Sequence, residues 1–164
     1  LNRVFTTADL YDEHSAELAV AAPGLVSYGG YPRFCGRVLT VTAPEDNSRV
    51  VEALSKPGDG GVLIVDAGGS MSCAVLGDQL AARAAENGWA GVIVWGCIRD
   101  SVIVGKTQLG VFALGTHPAR TVKRDLGEHG LDVSFLGVTI HPGDWVFADE
   151  DGLLIAATDL LAAD

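Results

Sequence analysis

A chain of 164 residues with 21 acidic against 11 basic side chains carries a net charge of −10, a balance that repels phosphate backbones. No Lys/Arg stripe with interleaved aromatics relieves it, which argues against direct nucleic-acid binding. The 48% apolar fraction suits one well-packed core, expected as a single domain over 1–164, and no apolar run approaches the ~18–20 residues of a membrane-spanning helix.

The opening stretch, LNRVFTTADLYDEHS, lacks the apolar centre of a signal peptide, and a start on Leu1 leaves room for an upstream segment. A helix is expected over 8–22, capped by Thr7 or Asp9 and favoured by acidic residues in its first turn. Residues 23–32 are a glycine- and proline-rich loop, and 33–43 alternate as a half-buried strand does. A second helix follows within 44–61, capped near Asp46 or Asn47 and stopped by Pro57-Gly58. Residues 106–117 read as short strands around a turn, 132–157 as a β-meander punctuated by Pro142-Gly143-Asp144 and Asp151-Gly152, and 158–164 as a short closing helix.

Between these lies one βαβ unit. GVLIVDA (61–67) is a short, β-branched apolar run, as expected of a buried parallel strand. A helix over 78–88 with Gly88 just past its end leads to a second such strand, AGVIVWG (90–96). Parallel strands place their carboxyl ends, and the start of the connecting helix, at one edge, where α/β folds bind ligands. Gly77, Asp78, Gln79 and Leu80 would then meet Arg99 and Asp100 in one crevice suited to a small anion and a metal. Taken singly, Asp78 reads equally as a helix N-cap, Arg99 as a surface ion-pair partner and Asp100 as a turn cap.

The remaining chemistry-bearing residues read as structural. Cys35, Cys73 and Cys97 are odd in number and widely spaced, which fits free thiols in a reducing, cytoplasmic setting. His14, His117, His129 and His141 lack metal-ligand spacing. The acidic run GDWVFADEDG (143–152) is explained by hairpin turns better than by a metal loop.

Asp78, then twenty residues, then Arg99-Asp100 resembles the signature of the RraA-like family, which holds the regulator of ribonuclease E activity A and the 4-hydroxy-4-methyl-2-oxoglutarate aldolases. GGYPRFCGRVLTVTAPEDN (29–47), GGVLIVDAGGS (60–70), LGDQLA (76–81), GVIVWGCIRD (91–100), FALGTHP (112–118) and GVTIHPGDWVFADEDGLLI (137–155) follow that family's blocks in order. The resemblance implies a β/β/α sandwich of the swivelling-domain type, with a mixed sheet, assembled as a trimer or a pair of trimers. It also implies a lyase for small 2-oxo acids that works through a pyruvate enolate, with oxaloacetate decarboxylation as a companion reaction. In that reading the start of the 78–88 helix and Arg99 hold the substrate, Asp100 carries Mg²⁺ or Mn²⁺, and Asp78 positions the water that protonates the enolate.

The alternative within the family is a protein that binds and inhibits ribonuclease E without catalysis; the acidic surface is compatible with docking on basic segments. A methyltransferase role, once attached to the family by name, lacks a convincing glycine-rich loop with a following ribose-binding acid. Two departures stand out. Ile103 occupies a position where active aldolases commonly carry Asp or Glu, and neither Asp159 nor Asp164 can be matched to the acidic residue a neighbouring subunit supplies.

Overall fold

A computed structural model describes residues 3–162, and the core is a nine-stranded mixed sheet. Its parallel centre follows from the apolar runs. β3 (Phe34–Thr42) pairs with β4 (Val62–Asp66), β4 with β6 (Gly91–Ile98), and β6 with β7 (Gly110–Thr116), all parallel. β10 (Trp145–Asp149) and β11 (Gly152–Ala156) form a hairpin that extends the sheet antiparallel from the first half of β3. Short strands close its edges, β1 (Leu18–Val20) on β11 and β2 (Val26–Ser27) on β7.

Both faces of β4 and β6 are covered, which is why these two strands are apolar without alternation, whereas β3 alternates and exposes Arg37 and Leu39. Leu63, Val65, Val92 and Val94 face α2 (Ser48–Leu54) and α3 (Asp78–Glu86), packing with Val50, Leu54, Ala81 and Ala84. Val62, Ile64 and Ile93 point the other way, toward a hairpin of β8 (Val133–Phe135) and β9 (Val138–Ile140) and the inner face of β10–β11. The layers are thus α, sheet and β, the expected mixed α/β class. α1 (Thr7–His14) packs Leu10, together with Phe5, on Phe147 and Leu154, outside the β10–β11 hairpin.

Several expected elements differ. The first helix stops at His14; a 3-10 turn follows, and Leu18–Val20 become a strand because the exposed edge of β11 takes them as partner. Its cap is Thr6, whose hydroxyl accepts the Asp9 N–H, while Thr7 bonds Asp149. The expected meander is two hairpins in different sheets, and residues 110–116 are one strand. Residues 159–162 form a turn, with no helix among the described residues there.

The irregular stretch 117–130 lies over the carboxyl edge and is pinned by the approach to α2. Asp46, only 1% exposed, accepts hydrogen bonds from the Ser48 N–H and hydroxyl and from the N–H groups of Arg124 and Leu126. Thr121 bonds Asn47, and Arg49 reaches the carbonyls of Asp125 and Gly127. Burial pushes the Asp46 carboxyl up, but the four donors outweigh it and hold its pKa at about 2. Its contribution to stability is therefore complete above the ordinary carboxylate value of 3.8 and is lost as the pH falls toward about 2. Asp46→Ala should cost about 1–3 kcal/mol in urea unfolding at neutral pH, since it strands several part-buried donors at once. Asp46→Asn should flatten the loss of stability between pH 4 and 2; an unchanged acid limb would show that other groups control it.

Candidate active site

The site begins with a strand that sequence patterning missed. β5 (Ala74–Leu76) sits in a serine- and glycine-rich stretch, yet it takes over the edge of β6 where β4 departs, with Ala74 opposite Cys97 and Leu76 opposite Ile98. Because β5 and β6 run parallel in this register, Gly77-Asp78 and Arg99-Asp100 leave the sheet side by side. The Arg99 N–H to Leu76 carbonyl bond, 2.9 Å, fastens the two exits together. The six residues named from the sequence are brought to this one corner, Gly77-Asp78 against Arg99-Asp100 with Gln79 and Leu80 next along the helix.

Asp100 is in the left-handed region at φ 56°, a conformation aspartate visits more readily than most residues. It precedes the single turn of α4 (Ser101–Val104), but its side chain does not cap that turn. Instead Oδ2 accepts the Asp78 N–H at 3.1 Å, so the start of α3 is capped from another element. Gly77 occupies the N-cap position and makes this approach possible: a Cβ there would stand 2.8 Å from Asp100 Oδ2 and 3.4 Å from Arg99 Cγ. The reading of Asp78 as an N-cap is thereby corrected, for it is the first helical residue and its N–H is the group being capped.

That cap sorts the helix donors. The Asp78 N–H is engaged and the Ala81 N–H bonds the Gly77 carbonyl, which leaves the N–H groups of Gln79 and Leu80 without an acceptor among the described residues. Beside them Arg99 is 40% exposed; its Nη1 donates to the Pro118 carbonyl at a long 3.4 Å, and its Nε lies 4.0 Å from Asp100 Oδ2. The guanidinium keeps most of its donors for an incoming anion. The Asp78 N–H, against some desolvation and with help from the Arg99 charge, holds the Asp100 carboxyl below the usual range. Asp100 is therefore ionised throughout the neutral region.

Among the described residues no cluster of three or more His, Cys, Asp or Glu could cage a metal. The corner offers one ionised, part-exposed carboxylate with Asp78 beside it. This donor set fits Mg²⁺ or Mn²⁺ held chiefly through waters and does not fit a dedicated protein cage. The other acidic and nucleophilic groups have different duties. Asp149 binds Thr7, Asp144 accepts the His141 N–H, and Asp159 pairs with Arg3 at 2.8 Å. Cys97 is fully buried, and desolvation pushes its thiol up, away from nucleophilic use. Ile103 stands 53% exposed on α4.

A larger concavity lies elsewhere. A cleft of about 800 Å³, lined by Tyr31, Arg33, Phe34, Trp89 and Trp145 among others, opens at the amino ends of β3 and β6, away from Asp78, Arg99 and Asp100. Its Arg3 is paired with Asp159, and its other charged lining residues, Arg33, Asp59 and Glu150, form no ion pair with one another among the described residues. Convergent chemistry, not concavity, is the ground for taking the carboxyl edge as the candidate site.

The model of the RraA-like family, described as Aldolase/RraA, matches residues 7–155. A protein of Laribacter hongkongensis, provisionally named a 4-hydroxy-4-methyl-2-oxoglutarate aldolase, is 57% identical over 157 residues, covering 96% of this chain and 99% of that protein. A likewise provisionally named aldolase of Alkalilimnicola ehrlichii is 53% identical over 96% of this chain and 98% of its own length. Among solved structures, an RNA-processing inhibitor RraA from Thermus thermophilis superposes with a TM-score of 0.91 at 41% identity, covering 94% of each chain. One from Geobacillus kaustophilus, described as an S-adenosylmethionine:2-dimethylmenaquinone methyltransferase, gives 0.95 at 46%, covering 98% of this chain and 99% of that one. With a family model spanning nearly its whole length and relatives above half identity, the chain belongs to the RraA-like family.

Proposed function

We propose that this protein is a metal-dependent lyase for small 2-oxo acids, cleaving 4-hydroxy-4-methyl-2-oxoglutarate to two pyruvates and decarboxylating oxaloacetate. The observation that carries the reading is the junction of an exposed guanidinium, two unengaged helix N–H groups and an ionised carboxylate at one sheet edge. The aldolase names of the nearly full-length relatives support it.

The substrate's 2-oxo carboxylate fits the N–H groups of Gln79 and Leu80, where the helix dipole favours negative charge. Arg99 reaches the same carboxylate or the keto oxygen and adds a permanent positive charge. As the C3–C4 bond breaks, the C4 hydroxyl gives its proton to a water and becomes the ketone of one pyruvate. The bonding pair moves into the C2–C3 enolate of the other, where Arg99 stabilises the growing charge. A proton delivered to C3 through a water held by Asp78 completes the turnover. Loss of CO₂ from C4 of oxaloacetate reaches the same enolate, so one site serves both reactions. A bound Mg²⁺ or Mn²⁺, with Asp100 as its protein ligand, supplies Lewis-acid polarisation of the keto oxygen.

Assembly belongs to the same proposal. Val102 and Ile103, 72% and 53% exposed, sit directly beyond Arg99-Asp100, and their burial against another copy in a trimer or hexamer would wall the open corner. The second reading, inhibition of ribonuclease E, is favoured by the likeness to the Thermus RraA. It gives no account of why a guanidinium and free helix donors face solvent together.

Pyruvate release from either substrate should require Mg²⁺ or Mn²⁺ and stop with EDTA. Arg99→Ala should lower kcat/KM by about 10²–10³, and Arg99→Lys should recover little of it. Absence of metal-dependent turnover, combined with capture of a ribonuclease E, would favour the second reading. Gly77→Ala should fold, since its backbone is ordinary extended chain and the atom it meets is a movable side-chain oxygen. It should nevertheless speed exchange of the Asp78 amide and weaken pyruvate binding; unchanged exchange would mean that the Asp100 cap does not form in solution. Sedimentation should report a trimer or hexamer, and Val102→Glu with Ile103→Glu should shift it toward monomer.

A further inference from the structure

The turn that follows β7 is built around a histidine the mechanism above does not use. The His117 N–H donates to the carbonyl of Ile98, the residue just before Arg99, at 2.9 Å. Two residues on, the Ala119 N–H donates to His117 Nδ1 at 3.1 Å, and the Ala119 carbonyl accepts the Ala74 N–H at 2.8 Å. Between them the Pro118 carbonyl faces Arg99 Nη1.

The Pro118 carbonyl and the Ala119 N–H belong to one peptide unit. That unit is planar and trans, as is every peptide among the described residues, so its C=O and N–H point in opposite directions. Fixing the N–H on His117 Nδ1 therefore fixes where the carbonyl points, and the carbonyl points at the guanidinium. Proline at 118 has no N–H of its own to offer the imidazole, so the Ala119 N–H is the donor in reach. The arrangement copies an Asx turn, in which an Asn or Asp oxygen accepts the N–H two residues later. It also dictates the tautomer: an accepting Nδ1 in a neutral ring puts the proton on Nε2.

We propose that His117 is a positioning residue for Arg99, acting through the Pro118–Ala119 peptide. It tethers the carbonyl that holds the guanidinium beside the amino end of α3. The assignment rests on reading Arg99 as the group that holds the substrate, but the hydrogen bond at its root is independent of that reading.

Three variants test it: His117→Ala, which removes the acceptor; His117→Asn, which restores it as an Asx turn; and His117→Ala on an Arg99→Ala background. On the free protein, imidazole ¹⁵N shifts should show the proton on Nε2. Exchange of the Ala119 amide should speed up to about tenfold in His117→Ala and return close to wild type in His117→Asn. With oxaloacetate and Mg²⁺, His117→Ala should raise KM several-fold with a smaller change in kcat. His117→Asn should return KM to within about twofold, and adding His117→Ala to Arg99→Ala should change nothing further, as for two residues acting in series. A proton on Nδ1 or unaltered Ala119 exchange would overturn the tether whatever the lyase assay gives. An equal loss in the Ala and Asn variants, or a further loss on the Arg99→Ala background, would overturn the role toward Arg99. A protein whose tether passes on exchange and tautomer but turns over no 2-oxo acid would place the failure in the lyase reading.

Discussion

The Asp78 N–H to Asp100 bond is the constraint on which the candidate site depends. An ordinary N-cap is local: a side chain folds back on the helix that follows it. Here the cap arrives from the far end of the neighbouring strand, so it fixes the geometry between two elements as well as within one. Several otherwise separate features follow from it. Position 77 cannot carry a Cβ without displacing the carboxylate, Asp100 adopts a left-handed backbone that turns its side chain back, and the carboxyl stays ionised because it accepts an amide proton. The donors left over are the N–H groups of Gln79 and Leu80, the ones the proposed function assigns to an anion.

Electrostatics sharpen this point. A chain with net charge −10 does not attract dianionic acids by its overall field, and any attraction must be generated within a few ångströms of the site. A guanidinium beside unengaged helix N–H groups does so without a cluster of lysines. Precision comes from placement: β5 and β6 are buried among fully covered strands, and α3 is seated on them by Ala81 and Ala84. The irregular segment beside them gains comparable fixity from Asp46, Asn47 and Arg49, which bond its backbone and side chains in place of a ladder.

What the sequence disclosed follows the range of the forces involved. The runs at 62–66 and 91–98 are legible because burial on both faces demands uninterrupted apolar residues, and the α3 boundaries follow from local propensity. Residues 18–20 are illegible because nothing local makes them a strand; the unpaired edge of β11 does. β5 is hidden for the same reason, its three residues being strand only beside the last turn of β6. At the site, the expected βαβ unit and the family spacing pointed to one edge for Asp78, Arg99 and Asp100, but the pairing that joins them is that of β5 with β6. The division of labour escaped, because which residue caps α3 depends on the φ of Asp100, and His117 could be read only as a turn residue until its Nδ1 was seen to hold Ala119.

Ile103 bears on how such a corner fails or persists. An acidic side chain there would stand on α4, one turn beyond Asp100, where it could order the waters of a bound cation. An exposed isoleucine removes that influence but leaves the Asp100 cap, the Gln79 and Leu80 donors and the Arg99 guanidinium unaltered, since none of these contacts involves it. The departure therefore acts on cation affinity and not on anion recognition. It also adds apolar surface next to Val102, which favours burial of that face against another copy. On the proposed lyase reading, Ile103 would thus exchange an influence on a cation's waters for apolar surface that another copy could cover.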